Sequence, residues 1–160
     1  MSSNKGQLFT PDFIMATVIF LFILITLQVN NYAIREKISN EEDMLYYDSL
    51  ISKTDILVLY PGYPKYWNGS NVEIIGFAEK PNVLNKTKIE AFVSMSDSNI
   101  KKLLNIEDKS FYFIIRDSND NILYEKGSTS WQNSEKIFVV KRNVIIDEKG
   151  AEMRFIVYGD

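Results

Sequence analysis

A predominantly apolar run extends from Phe13 to Val29, FIMATVIFLFILITLQV, 17 residues with no charge, no Gly and no Pro. The uncharged segment is longer, 22 residues from Phe13 to Ile34, with Asp12 before it and Arg35 after it. At ~1.5 Å per residue it forms a helix of roughly 33 Å, about the thickness of one bilayer core. It is apolar on every face, so no side remains to meet water, and the pattern predicts a membrane-inserting helix. Neither Gly nor Pro separates Val29 from Leu59, so the helix is expected to run on. Beyond Arg35 it becomes amphipathic: Met44, Tyr47 and Ile51 fall at i, i+3 and i+7, with Leu50 beside them. Arg35-Glu36-Lys37 and Glu41-Glu42-Asp43 read as its solvated face. The helix is expected to end near Thr54 or Asp55, because the β-branched and apolar run from Ile56 to Tyr60 leads into Pro61.

After Pro61-Gly62 and Pro64, which punctuate a fixed turn, the pattern becomes that of a mixed domain. Tyr63, Tyr66 and Trp67 concentrate rings in this turn, where they are expected to cover a core edge. Val72 to Ala78 reads as a strand. Asn85-Lys86-Thr87 precedes a short helix from Lys88 to Met95, with Ile89, Phe92 and Val93 on one face. Ser96 or Ser98 is placed to cap a second short helix that buries Ile100, Leu103 and Leu104. Two hairpins follow. Phe111–Arg116 and Ile122–Glu125 flank the turn cluster Asp117-Ser118-Asn119-Asp120-Asn121; Ile137–Ile146 and Ala151–Tyr158 flank Asp147-Glu148-Lys149-Gly150. Between the hairpins, Lys126 to Glu135, with Trp131, reads as a polar connection. The expected fold is α+β: a long N-terminal hydrophobic helix packed on a small head domain with an antiparallel β-sheet and two short helices.

Composition removes several classes of function. The chain has no Cys and no His, which excludes thiol nucleophiles, disulfides, imidazole metal ligands and Ser-His-Asp triads. A net charge of -3 and the lack of a Lys/Arg cluster argue against a nucleic-acid partner. No Gly-rich phosphate loop, nucleophile elbow or paired acids with a third partner occur, so neither an enzyme nor a cofactor or metal site is expected. Asp117 to Asn121 matches the opening of a calcium loop, D-x-N-x-N. The match fails where Gly and a bidentate Glu belong, at Ile122 and Ser128, and a hairpin turn is the better account, with room only for weak calcium binding. Asn68-Gly69-Ser70 and Asn85-Lys86-Thr87 are candidate N-glycosylation acceptors by pattern. The competing roles are a turn at Asn68-Gly69 and helix capping by Asn85.

Ahead of the apolar run stands MSSNKGQLFTPD. No small-residue cleavage site follows the run, so removal of the helix as a secretory signal is not expected. A polar leader ending in Lys5-Gly6, then Gln7 and a long apolar helix, resembles the class III signal peptide of archaeal type IV pilin-like proteins. PGYPKYW, VEIIGFA and VLN in the head are similar, more faintly, to small members of that family. The resemblance implies cleavage between Gly6 and Gln7 by a membrane-embedded prepilin peptidase, with the apolar helix retained. Where the family carries a Glu, this chain has Pro11, and its carboxylate is Asp12. The resemblance implies that this acid pairs with the N-terminal amine of a neighbouring subunit. Thr10-Pro11-Asp12 also reads as an N-cap, a first-turn Pro and a first-turn acid.

These readings divide the chain into a leader, 1–6, an N-terminal helix, 7–55, and an extracytoplasmic head, 56–160. Within the helix, about 13–34 would lie in the membrane or filament, and 35–55 is amphipathic. Lys5 precedes the helix, whereas three basic and six acidic residues lie between Arg35 and Asp55, so the basic-inside tendency puts Met1 in the cytoplasm. The expectation is a structural subunit of a type IV pilus-like surface filament, major or minor. Its partners would be the membrane, the prepilin peptidase, the pilus assembly machinery and other pilin-like subunits. The alternative is a membrane-anchored extracytoplasmic binding or adhesion module that does not polymerise.

Overall fold

The computed structural model describes residues 9–159. One helix, α1, occupies Phe9–Leu59, 51 residues. It contributes its residues through Tyr46 to one compact unit and those from Tyr47 onward to another. The helix includes Thr10, and Asp12 lies in its first turn. Pro11 is tolerated because first-turn N–H groups have no intrahelical acceptor. At the other end α1 passes Asp55 and takes in Ile56, Leu57 and Val58. It is the only helix among the described residues long and apolar enough to cross a membrane.

The second unit continues with β1 (Ala78–Lys80), β2 (Val83–Leu84), α2 (Lys86–Ser94), α3 (Asp97–Leu103), β3 (Ser110–Asp117) and β4 (Ile122–Gly127). A 3-10 turn (Ser130–Asn133), β5 (Lys136–Ile146) and β6 (Lys149–Gly159) complete it. The strands form one sheet in the order β1-β2-β5-β6-β3-β4. Both expected hairpins are present, and β6 joins them by pairing with β3 as well as β5. The sheet is antiparallel except at one place: β2 lies parallel to β5 through the single pair Val83↔Ile145. The strand expected over Val72–Ala78 is reduced to an isolated bridge, Tyr63↔Ile74, with β1 beginning only at Ala78. Gly76 explains the break. A Cβ there would lie 2.4 Å from both the Gly62 nitrogen and the Tyr60 oxygen, so its backbone is pressed against the turn that follows α1.

The short helices start where their caps dictate. Asn85 Oδ1 accepts the Lys88 N–H at 3.2 Å, and Ser96 caps α3 through the Asn99 N–H. Strand alternation then sorts β3 into two faces. Phe111, Phe113 and Ile115 enter the main core, where Phe77, Phe92 and Phe113 meet with centroids 5.0–5.7 Å apart. Tyr112 and Ile114 face the other way and form a smaller buried cluster with Ile156 and Tyr158, covered by Trp131 and Val139. The Lys126–Glu135 connection is therefore more than a polar link, since its Trp131 roofs the second face of the sheet.

Candidate functional site

Two parts of α1 stand out as candidates. The first is the apolar segment. All thirteen large apolar side chains between Phe13 and Val29 are exposed. Nothing in water would hold such a surface apart from other apolar matter. Its two threonine hydroxyls are closed on the helix itself. The Thr17 hydroxyl donates to the Phe13 carbonyl at 2.8 Å, and Thr26 donates to those of Phe22 and Ile23 at 3.0 and 2.8 Å. Closing these hydroxyls on the backbone leaves a surface that is hydrocarbon up to Gln28, whose exposed amide lies one residue from its end.

The second part is the C-terminal end, where the same helix becomes part of the head. Leu50, Thr54, Leu57 and Val58 are buried along one stripe. This corrects the expected stripe: Met44 and Tyr47 are exposed and Ile51 is half-buried. The periodicity misleads because a polar residue, Thr54, sits inside; its hydroxyl is satisfied by the carbonyls of Leu50 and Ile51 at 2.9 and 2.8 Å. Burial of Leu50, Leu57 and Val58 contributes roughly 1.5–3 kcal/mol each. Around the stripe, Tyr47 stacks on Phe138 at 6.4 Å, and Arg142 Nε meets Asp55 Oδ1 at 2.8 Å.

The last carbonyls of a helix have no acceptor role inside it and must be matched from elsewhere. Here the chain that follows matches them. Phe77 N donates to Leu57 O at 2.8 Å, Asn82 N to Val58 O at 2.8 Å, and Ala78 N to Tyr60 O at 3.1 Å. Trp67 Nε1 donates to Pro61 O at 3.1 Å and to Gly76 O at 2.9 Å. Lys88 Nζ also donates to Pro61 O. Burial pushes the Lys88 pKa down, against the opposing pull of Glu79 and with some help from Lys65. Gly62, at φ +76°, turns the chain back under this junction. The helix expected to end near Thr54 or Asp55 thus runs on to Leu59, and the carbonyls of Leu57 and Val58 find backbone donors in Phe77 and Asn82.

The residues singled out from sequence fall in different places. Gly6 and Gln7 lie outside the described residues. Asp12 is exposed in the first turn of α1. Asn68 is exposed in a turn, its Oδ1 accepting the Ser70 N–H at 2.9 Å. Asn85 is half-buried and engaged at both ends of its amide, because Nδ2 donates to Glu79 Oε1 at 2.6 Å while Oδ1 caps α2. The nitrogen that a glycan would need at Asn85 is thus committed, whereas Asn68 stands in the open. Asp117 closes its own turn, accepting from the Asn119 and Asn121 N–H groups and from Asn121 Nδ2. Among the described residues, no group of three or more acidic side chains is placed to hold a metal ion.

Of the aromatic turn, only Trp67 covers the core. Tyr63 is exposed and Tyr66 is 84% exposed, with Lys65 Nζ 5.6 Å above its ring. Ile56, Tyr60, Pro61, Tyr63 and Ile74 line a shallow groove of about 420 Å³ there. The residues that sequence reasoning missed are Gly76 and Asn82. A Gly within an apparent strand signals a close backbone approach, and Pro81-Asn82 signals a turn, so both carried a legible mark. The chain matches no protein-family model, and no curated protein and no solved structure is similar to it.

Proposed function

We propose that this chain is a structural subunit of a type IV pilus-like surface filament, major or minor, cleaved after Gly6 and assembled through its hydrophobic N-terminal helix. One observation carries the reading: a single unbroken helix is apolar and exposed on every side over its first half and buried in an α+β head at its last turns. Such a helix is held in lipid before assembly and among like helices after it. Moving from lipid to a helix bundle changes apolar burial little, so packing and polar end groups decide assembly. Asp12, in the first turn, is the acid placed to pair with the new amine at Gln7 of a neighbouring subunit. The head lies outside the cell, and Asn68, not Asn85, is the glycan acceptor.

Mass spectrometry of the purified protein tests the first step. A chain beginning at Gln7 is expected; an intact Met1 from a host that has the peptidase would sink the reading. Electron microscopy of sheared surface filaments tests the second.

The groove beside Tyr60, Tyr63 and Ile74 favours a second reading, a membrane-anchored binding or adhesion module that never polymerises. That reading predicts protein in the membrane fraction only, and loss of adhesion on replacing Tyr63 and Tyr66 with Ser.

A further inference from the structure

The part of α1 around and beyond Ile34 has an order that the apolar run alone does not explain. Leu24, Asn31, Ile38 and Leu45 recur every seven residues, and Leu27, Ile34 and Glu41 recur three residues behind them, all on one continuous helix. In a 3.5-residue repeat these two rows form a single seam. Its side chains are uncovered: Ile34 is 56%, Ile38 50% and Leu45 70% exposed. Polar Asn31 sits within the seam, where an amide is best satisfied by the same amide of another helix in equal register.

We propose that this seam pairs with the seam of a second copy of the chain, parallel and in register, while both are held in the membrane. Charge identifies the occupant. Lys37 and Glu42 flank the seam on opposite sides, five residues apart. In a parallel in-register pair, Lys37 of each copy faces Glu42 of the other, giving two equivalent attractive contacts. An antiparallel partner would separate the two Asn31 amides and lose these contacts. One position opposes the pairing. Glu41 lies in the seam, where it meets its own counterpart. Lys37 Nζ stands 4.0 Å from Glu41 of its own chain and so lies between the two acids it must serve. The like charges make the pair weak and separable, as a contact must be if copies later leave it for another arrangement. The inference rests on a membrane-retained helix and not on polymerisation.

The chain has no Cys, so one introduced thiol reports alone. The full-length protein, purified and reconstituted in phosphatidylcholine vesicles at low protein-to-lipid ratio, is oxidised with copper phenanthroline. Ile38→Cys places the thiol in the seam; Glu36→Cys places it about 180° round the helix. Ile38→Cys is expected to give about tenfold more disulfide-linked dimer than Glu36→Cys, since only one face meets the second copy. In the Ile38→Cys chain, Lys37→Glu should lower the dimer about tenfold by turning two attractions into repulsions, and Lys37→Glu with Glu42→Lys should restore it. Glu41→Leu should raise it. All these changes are on exposed helix surface, so folding of the head is untouched. Equal dimer from the two cysteines, or no recovery in the double charge swap, overturns the proposal. Cross-linking in native membranes to a protein of different mass, with monomer alone in the vesicles, also overturns it and assigns the face to a foreign basic helix. None of these results alters the mass expected at Gln7, so the filament reading stands or falls separately.

Discussion

Thr26 and Thr54 make the same hydrogen bonds in opposite halves of one helix. Each hydroxyl donates back to the carbonyls four and three residues earlier. In both places the bond hides a polar group from apolar surroundings. Around Thr54 those surroundings are supplied by the chain itself, in Leu50, Leu57, Val58 and the core they join. Around Thr26 the neighbouring side chains all point outward, and the chain supplies nothing to cover them. The two halves therefore differ in where their solvent comes from. The last turns, from Leu50 on, are covered by folding. The apolar N-terminal half is left exposed by the chain itself, and the proposed role in assembly or anchoring draws on that surface.

The contrast can be broken from either side. The largest effect is expected from Phe113→Ala, which empties the centre of the aromatic core and should cost the head about 4 kcal/mol. Denaturant unfolding followed by near-ultraviolet circular dichroism measures the loss, and flotation with membranes should be unchanged. Leu24→Lys is the mirror experiment. It should oppose insertion by about 3 kcal/mol and deplete the membrane fraction while the head keeps its unfolding midpoint. Trp67→Phe sharpens the comparison at the junction. It keeps the ring but removes the donor shared by Pro61 and Gly76, leaving the buried Gly76 carbonyl short of a partner, and should cost about 2 kcal/mol.

The smallest effect is electrostatic and confined to the head. Hydrogen bonds from the Asn121 side chain, and then from the Asn121 and Asn119 N–H groups, hold the Asp117 carboxyl below its ordinary 3.8. Its contribution to stability is therefore present above pH 3.8 and is lost as pH falls from there through the depressed value, because the unfolded chain takes up the proton first. Asp117→Asn should flatten that acid limb in a pH series of thermal melts. It should leave membrane flotation at every pH as it was.

Features that depend on nearby residues were legible from the sequence. The hairpins β3–β4 and β5–β6 follow from alternation and from turn residues, and Asn85 and Ser96 start their helices as their chemistry requires. Features set by distant partners were not. Ile56 to Val58 carry a strand-like composition, yet they remain helical because Phe77, Ala78 and Asn82 reach the carbonyls there. The parallel contact of β2 with β5 rests on one residue pair, too short to leave a periodic signal. Trp131 looked like part of a polar connection because the surface it covers is assembled from β3, β5 and β6. The apolar segment was legible throughout, because its pattern depends on no other part of the chain.

Asn82 acquires a mechanical meaning from its place in the junction. It donates to Val58 O at the end of α1 and, at φ 63°, turns its own carbonyl to accept Ile145 N of β5. Along the covalent chain, a pull on the helix would first have to straighten the loop from Tyr60 to Phe77. Through Asn82 the pull reaches a central strand at once. A pull on the last turn of α1 would thus be felt at β5 through this residue as well as along the loop.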